Sequence, residues 1–121
     1  MRLGLITVLC ALTLGACTNP QSLRSRAPDF TFITQNSLED IKSCLGENWA
    51  SSNPGWVPNY IPRDKAFSFI LEGGAATDLV IDVVDRGVDR QVTVYVRRFV
   101  VSFFKTEKNR RIIEQCTVPK S

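Results

Sequence analysis

The sequence predicts a small α+β domain in which an antiparallel sheet of three to four strands carries two helices on one face. Two observations indicate this fold. Apolar and polar residues alternate along several short stretches, and two other stretches have apolar residues at helical spacing. With 121 residues, 44% of them hydrophobic and 22% charged, the chain has room for one modest domain. We therefore expect a single core with the sheet on one side and the helices on the other.

The strands follow from alternation bounded by turn residues. A short first strand is predicted at residues 30–33, and three consecutive strands at residues 66–71, 78–83 and 92–97. Because the breaks between these three contain Gly73-Gly74 and Gly87, we expect short turns and an antiparallel meander. Residues 99–104 fit either a continued strand or the start of a helix.

Two helices are expected on one face of this sheet. Ser37 is the predicted N-cap of the first, whose apolar residues recur at helical spacing: Leu38, Ile41, Leu45 and Trp49. The second covers residues 106–116 and stops before Pro119. Residues 51–62 hold three prolines and a glycine, which is typical of an irregular loop or an edge segment.

The N-terminus has the composition of a secretory signal peptide, with a cation at Arg2, an apolar run over residues 3–14 and small residues after it. The run is shorter than the roughly 18 to 20 apolar residues that a spanning helix needs. Residues 14–17 read Leu-Gly-Ala-Cys and resemble the lipobox of bacterial lipoproteins. The resemblance implies that residues 1–16 are removed and that a lipid is attached to the thiol of Cys17.

The same resemblance implies a location. Thr18, rather than Asp, follows the lipidated cysteine, which in similar Gram-negative lipoproteins favours the outer membrane, here at its periplasmic face. Residues 17–28 are polar, bounded by prolines and without an apolar period, so we expect a lipidated tether that reaches at most about 40 Å. Arg24 and Arg26 would then be solvated or would touch anionic headgroups. The globular domain would cover residues 29–121.

The mature domain retains two cysteines, Cys44 in the first predicted helix and Cys116 in the second. A secreted chain enters an oxidising compartment, where a cysteine pair is expected to form a disulfide. A redox-active thiol is disfavoured because the chain has no Cys-x-x-Cys motif and no histidine.

Composition excludes several kinds of function. Without histidine there is no imidazole base, and a net charge of +3 is too small to indicate nucleic-acid binding. Four carboxylates cluster around the second strand of the meander and the turn that follows it: Asp78, Asp82, Asp85 and Asp89. They do not follow a calcium-loop spacing, so we expect solvated sheet charges that pair with Arg90 and Arg97. No metal or cofactor is expected.

Two features favour a binding surface. Trp56 and Tyr60 lie in the proline-rich segment, where they are expected either to contact a partner or to cap the core. Arg97 and Arg98 begin a basic stretch suited to phosphate groups or an acidic protein. The expected function is a non-enzymatic envelope lipoprotein that binds a protein or an envelope component, including as an accessory part of an assembly. Two alternatives remain open: an enzyme acting on envelope polymers through the carboxylates, and an inhibitor or exclusion lipoprotein.

Overall fold

Five strands form one antiparallel sheet in the computed structural model, which describes residues 19–52, 57–72, 77–97 and 106–119. In chain order the elements are α1 (Pro20–Arg24), β1 (Phe30–Thr34), α2 (Leu38–Ser52), β2 (Asn59–Arg63), β3 (Ala66–Glu72), β4 (Thr77–Asp85), β5 (Arg90–Val96) and α3 (Thr106–Thr117). The strand order across the sheet is β1-β5-β4-β3-β2. The α+β class and the meander of β3, β4 and β5 are therefore confirmed.

The predicted count of three to four strands is wrong, because β2 adds a fifth strand. It pairs with β3 from Asn59 opposite Ile70 to Arg63 opposite Ala66. Pro62 has no N–H to donate, and β2 tolerates it because this strand lies at the edge of the sheet. All five residues of β2 are exposed, so the strand lacks the alternation that revealed the others.

The main core lies between one face of the sheet and helices α2 and α3, which confirms the two predicted helices. From the helices it receives five buried apolar side chains, those of Ile41, Leu45, Trp49, Ile113 and Cys116. From the sheet it receives side chains that alternate along the strands: Phe67, Phe69, Leu71, Leu79, Ile81, Val83, Val92, Val94 and Val96. The Ser37 Oγ accepts a hydrogen bond of 3.1 Å from the Asp40 N–H, as expected for the N-cap of α2.

A disulfide joins the two helices, as predicted. Cys44 in α2 and Cys116 in α3 are bonded, with their Cα atoms 5.5 Å apart and a sequence separation of 72 residues. Closing a loop of this length removes chain entropy from the unfolded state and contributes about 4 kcal/mol to stability in the entropic model. The disulfide therefore fixes α2 and α3 together over the sheet.

A third helix, α1, lies on the opposite face of the sheet, which we call the outer face. Asn19 caps it by accepting a 2.9 Å hydrogen bond from the Ser22 N–H, and Pro20 occupies the first turn. Leu23 is only 4% exposed and packs against Ile70 and Val80, with Tyr95 beside them. Pro20–Arg24 is therefore folded onto the sheet, which differs from the extended tether expected for this segment.

Some predictions fall outside the described residues: the signal peptide (residues 1–16), Cys17, the Gly73-Gly74 turn and residues 99–104. The turn between β4 and β5 is described and confirms the expectation for Gly87. Gly87 has φ 92°, a left-handed conformation that favours glycine, and its N–H donates to Asp85 Oδ1 at 2.8 Å.

Candidate functional site

Helix α1 is attached to the sheet by four polar side chains, which we call the Arg24 cluster: Arg24, Arg63, Ser68 and Asp82. Arg24 Nε and Nη2 each donate to one oxygen of the Asp82 carboxylate at 2.8 Å, a bidentate pair. Ser68 Oγ donates to Asp82 Oδ1 at 2.6 Å. It also accepts from Arg24 Nη2 at 3.2 Å and from Arg63 Nη2 at 2.6 Å. The cluster therefore links α1 to β2, β3 and β4.

The electrostatics of the cluster keep both members of the central pair ionised. Burial alone would raise the pKa of Asp82. The hydrogen bonds from Arg24 and Ser68 and the charges of Arg24 and Arg63 outweigh burial and lower this pKa below its usual value of 3.8. The pKa of Arg24 is raised, mainly by its hydrogen bond to Asp82. The expectation that Arg24 is a solvated or headgroup-bound linker charge is therefore wrong.

The other three carboxylates of the predicted cluster are also paired with arginines. Asp78 accepts from Arg97, Asp85 from Arg90 and Asp89 from Arg86, at closest distances of 2.7, 3.4 and 2.7 Å. The pairs of Arg90 and Arg97 with strand carboxylates are confirmed. The solvated environment expected for Asp78 is wrong, because this residue is only 3% exposed.

Hydrogen bonds lower the pKa values of two of these carboxylates, Asp85 and Asp89. A backbone hydrogen bond from Gly87 is the main cause that lowers the pKa of Asp85, and the side chain of Arg86 does the same for Asp89. Within the described ranges, no group of three or more acidic or cysteine side chains is positioned to hold a metal ion.

Tyr60 lies on β2 and faces the side of the sheet that carries α2. Its ring centroid is 5.6 Å from that of Phe67 and 5.7 Å from that of Phe69, and the residue is still 40% exposed. The Lys42 ammonium of α2 lies 4.6 Å from the centre of the same ring, within cation–π range. Tyr60 therefore combines core packing with an exposed edge. Trp56 lies outside the described residues.

Arg97 follows β5 and serves the fold as well as any binding surface. Its guanidinium pairs with Asp78 Oδ1 at 2.7 Å, its backbone N–H donates to the Asp78 carbonyl at 2.9 Å, and its side chain is 27% exposed. Arg98 lies outside the described residues. Tyr60 and Arg97 are separated by β3 and β4, so the structure does not bring these two predicted binding residues into one site.

A small cleft of about 20 Å³ lies between α3 and the sheet. Its walls are mainly apolar and include Phe30, Trp49, Val96 and Ile113, and the Arg110 guanidinium lies 5.1 Å from the centre of the Phe30 ring. The indole N–H of Trp49 is buried and has no hydrogen-bond partner in the described part of the chain.

Sequence reasoning did not identify Leu23, Arg63 or Ser68 as contributors to a site. One signal was present: Asn19 followed by Pro20 is a common start of a helix, and Leu23 is the apolar residue one turn later. Arg63 and Ser68 had no local signal, because their contact with Asp82 exists only after the strands pair.

None of the helices in the described segments is long and apolar enough to cross a bilayer. Comparison of the chain with protein-family models, with curated proteins and with solved structures finds no match.

Proposed function

We propose that this protein is a lipid-anchored component of the bacterial cell envelope whose domain binds a protein or another envelope component and has no enzymatic activity. The observation that carries the proposal is the position of α1. This helix begins at Pro20, three residues after the cysteine of the lipobox-like sequence, and it is packed onto the sheet.

The docked helix shortens the free tether. Three Cα to Cα steps of 3.8 Å join Cys17 to Pro20, so the lipidated residue lies at most about 11 Å from the folded domain. An unfolded segment through Pro28 would allow about 40 Å. A lipid on Cys17 would thus keep the domain at the bilayer surface, where its available partners are envelope components.

The carboxylates give little support to the alternative of an envelope-polymer hydrolase. Such an enzyme needs one carboxyl group whose pKa is raised so that it can donate a proton. Asp82, Asp85 and Asp89 have lowered pKa values, and Asp78 is held in an ion pair with Arg97. These groups behave as structural charges, which favours a binding function.

The exposed aromatic edge of Tyr60 is the best candidate for contact with a protein partner. Tyrosine is enriched at interfaces because a rigid ring gives a large contact area and its hydroxyl can hydrogen-bond. Packing on Phe67 and Phe69 holds this ring in place, and Lys42 adds a positive charge beside it. An acidic or aromatic partner surface would match these two side chains.

The lipid is tested by metabolic labelling of cells with palmitate. We expect the label in the wild-type protein and in Cys10→Ser, since Cys10 lies in the segment that is removed. Cys17→Ser should carry no label and should no longer sediment with membranes. An unlabelled wild-type protein, or a Cys17→Ser variant that sediments equally well, would refute the proposal.

The binding surface is tested by a photo-crosslinking amino acid placed at Tyr60 or at Ile61. These neighbours in β2 are 40% and 41% exposed and point to opposite faces of the sheet, so Ile61 is a matched control. We expect protein adducts from position 60 and none from position 61. Equal yields of adducts would contradict this assignment.

A further inference from the structure

The outer face of the sheet is only partly covered by α1. Leu23 covers the row formed by Tyr95, Val80 and Ile70. Two further rows continue across all five strands towards the turn between β4 and β5. The first of these rows consists of Thr31, Thr93, Asp82, Ser68 and Ile61. The second consists of Ile33, Gln91, Val84, Ala66 and Arg63.

Arg24 covers Asp82 and Ser68 in the first of these rows, but within the described part of the chain the two rows still expose large apolar side chains. Ile33 is 52% exposed, Val84 46% and Ile61 41%. Val88, in the turn that follows β4, is 84% exposed. The three apolar side chains on the strands are separated by Gln91, Ala66 and Ser68, and all three project from the same face, where a flat apolar surface can contact them together.

The charges on this face are predominantly positive. Asp82 is the one carboxylate in the two rows, and it is neutralised by its bidentate pair with Arg24. Arg63 contacts Ser68 and lies 3.8 Å from the same carboxylate, yet half of its side chain is exposed. Arginine near an anionic membrane contributes on the order of 1 kcal/mol to binding.

We propose that the outer face of the sheet rests on the bilayer, with Ile33, Val84 and Ile61 at the headgroup level and Arg63 near anionic lipid phosphates. This inference rests on the proposed lipid anchor. The anchor determines the face, because α1 lies on the outer side of the sheet and its start is within about 11 Å of Cys17.

The opposite face lies across the sheet from α1 and from the start of the tether, and helices α2 and α3 cover it. The bilayer-facing orientation therefore directs α2, α3 and the exposed edge of Tyr60 away from the membrane. A partner would approach the domain from that side.

The orientation is tested on the full-length lipidated protein in nanodiscs that contain phosphatidylglycerol and a lipid with a gadolinium chelate on its headgroup. Methyl relaxation is measured by NMR at Ile33, Ile61 and Val84, and at Val118, which is 59% exposed and follows α3. We expect several-fold larger paramagnetic enhancement at the three outer-face residues. Equal enhancement, or a larger effect at Val118, would overturn the proposed orientation.

Two single variants test whether the face itself contacts lipid. Val84→Asp and Arg63→Gln should each lower the ratio of enhancement at Ile33 to that at Val118, whereas the charge-matched control Lys42→Gln, on α2, should leave this ratio unchanged. A ratio unaffected by both outer-face variants would overturn the contact, as would a dimer formed through this face.

The lipid itself is measured on the same sample by intact mass. A lipidated protein without the asymmetry would contradict only the orientation, and the proposed anchor would stand. A protein without lipid would overturn both proposals.

Discussion

Replacing Arg24 with alanine removes the main polar contact between α1 and the sheet. Arg24 makes two 2.8 Å hydrogen bonds to Asp82 and one of 3.2 Å to Ser68. The side chains of Arg24 and Asp82 are 21% and 18% exposed, so water replaces these contacts poorly. The variant leaves a partly buried carboxylate with Ser68 and the more distant Arg63 as its remaining partners.

The magnitude follows from the hydrogen bonds that are lost. A hydrogen bond to a charged group contributes about 1.5–3 kcal/mol, and breaking a fully buried ion pair costs about 3–5 kcal/mol. Because Asp82 keeps its hydrogen bond from Ser68 and some contact with solvent, we expect Arg24→Ala to lower the free energy of unfolding by about 2 kcal/mol. In a domain of about 100 residues this corresponds to a fall in Tm of about 10 °C.

Thermal unfolding and hydrogen exchange of residues 20–24 measure this effect. Arg26→Ala is the matched control, because Arg26 belongs to the same segment, is 25% exposed and makes a single 3.3 Å contact with Asp29. The control should lower the free energy of unfolding by less than about 1 kcal/mol and keep the amides of α1 protected from hydrogen exchange. Equal losses in the two variants, with α1 still protected in Arg24→Ala, would refute the role given to the cluster.

Three further predictions concern the rest of the domain. Arg97→Ala leaves the Asp78 carboxylate buried without its partner and should lower the free energy of unfolding, measured in urea, by about 3–5 kcal/mol. Arg97→Lys should lower it by less. Replacing both Cys44 and Cys116 with serine should lower the free energy of unfolding by about 4 kcal/mol. Free thiols in the native protein would contradict the disulfide. Asp82 has a lowered folded pKa, so its contribution to stability is complete above its usual pKa of 3.8 and is lost as the pH falls through the lowered value. Asp82→Asn should therefore flatten the acid limb of the unfolding free energy against pH, and an unchanged limb would contradict this.

The parts of the fold that were predictable are those with a local repeating pattern. The strands β3, β4 and β5 bury every second side chain on the main core, and α2 buries Ile41, Leu45 and Trp49 at helical spacing. The disulfide was predictable because only one cysteine pair remains after the expected cleavage and lipidation. Each of these signals exists within the sequence itself.

The missed elements carry no such pattern. Helix α1 buries one side chain, Leu23, and one residue cannot show a period. Strand β2 has all five residues exposed, and Asn59 and Pro62 offset the strand propensity of Tyr60 and Ile61, so neither alternation nor composition reveals it. Their positions are determined by contacts with β3 and β4 that form only in the folded domain.

The residues of the candidate site likewise differ in how much of their environment the sequence predicts. The sequence left open whether Tyr60 contacts a partner or caps the core, because its packing on Phe67 and Phe69 depends on the register of β2 with β3. Asp78 has the alternation of a solvated strand residue, and its burial depends on Arg97, 19 residues later in the chain.

The distance between the domain and the bilayer tests the account most directly, and neutron reflectometry on a supported bilayer carrying the lipidated protein measures it. With α1 docked, protein density should begin within about 11 Å of the headgroups. A hydrated gap that approaches the roughly 40 Å reach of an unfolded tether would show that α1 does not hold the domain at the membrane.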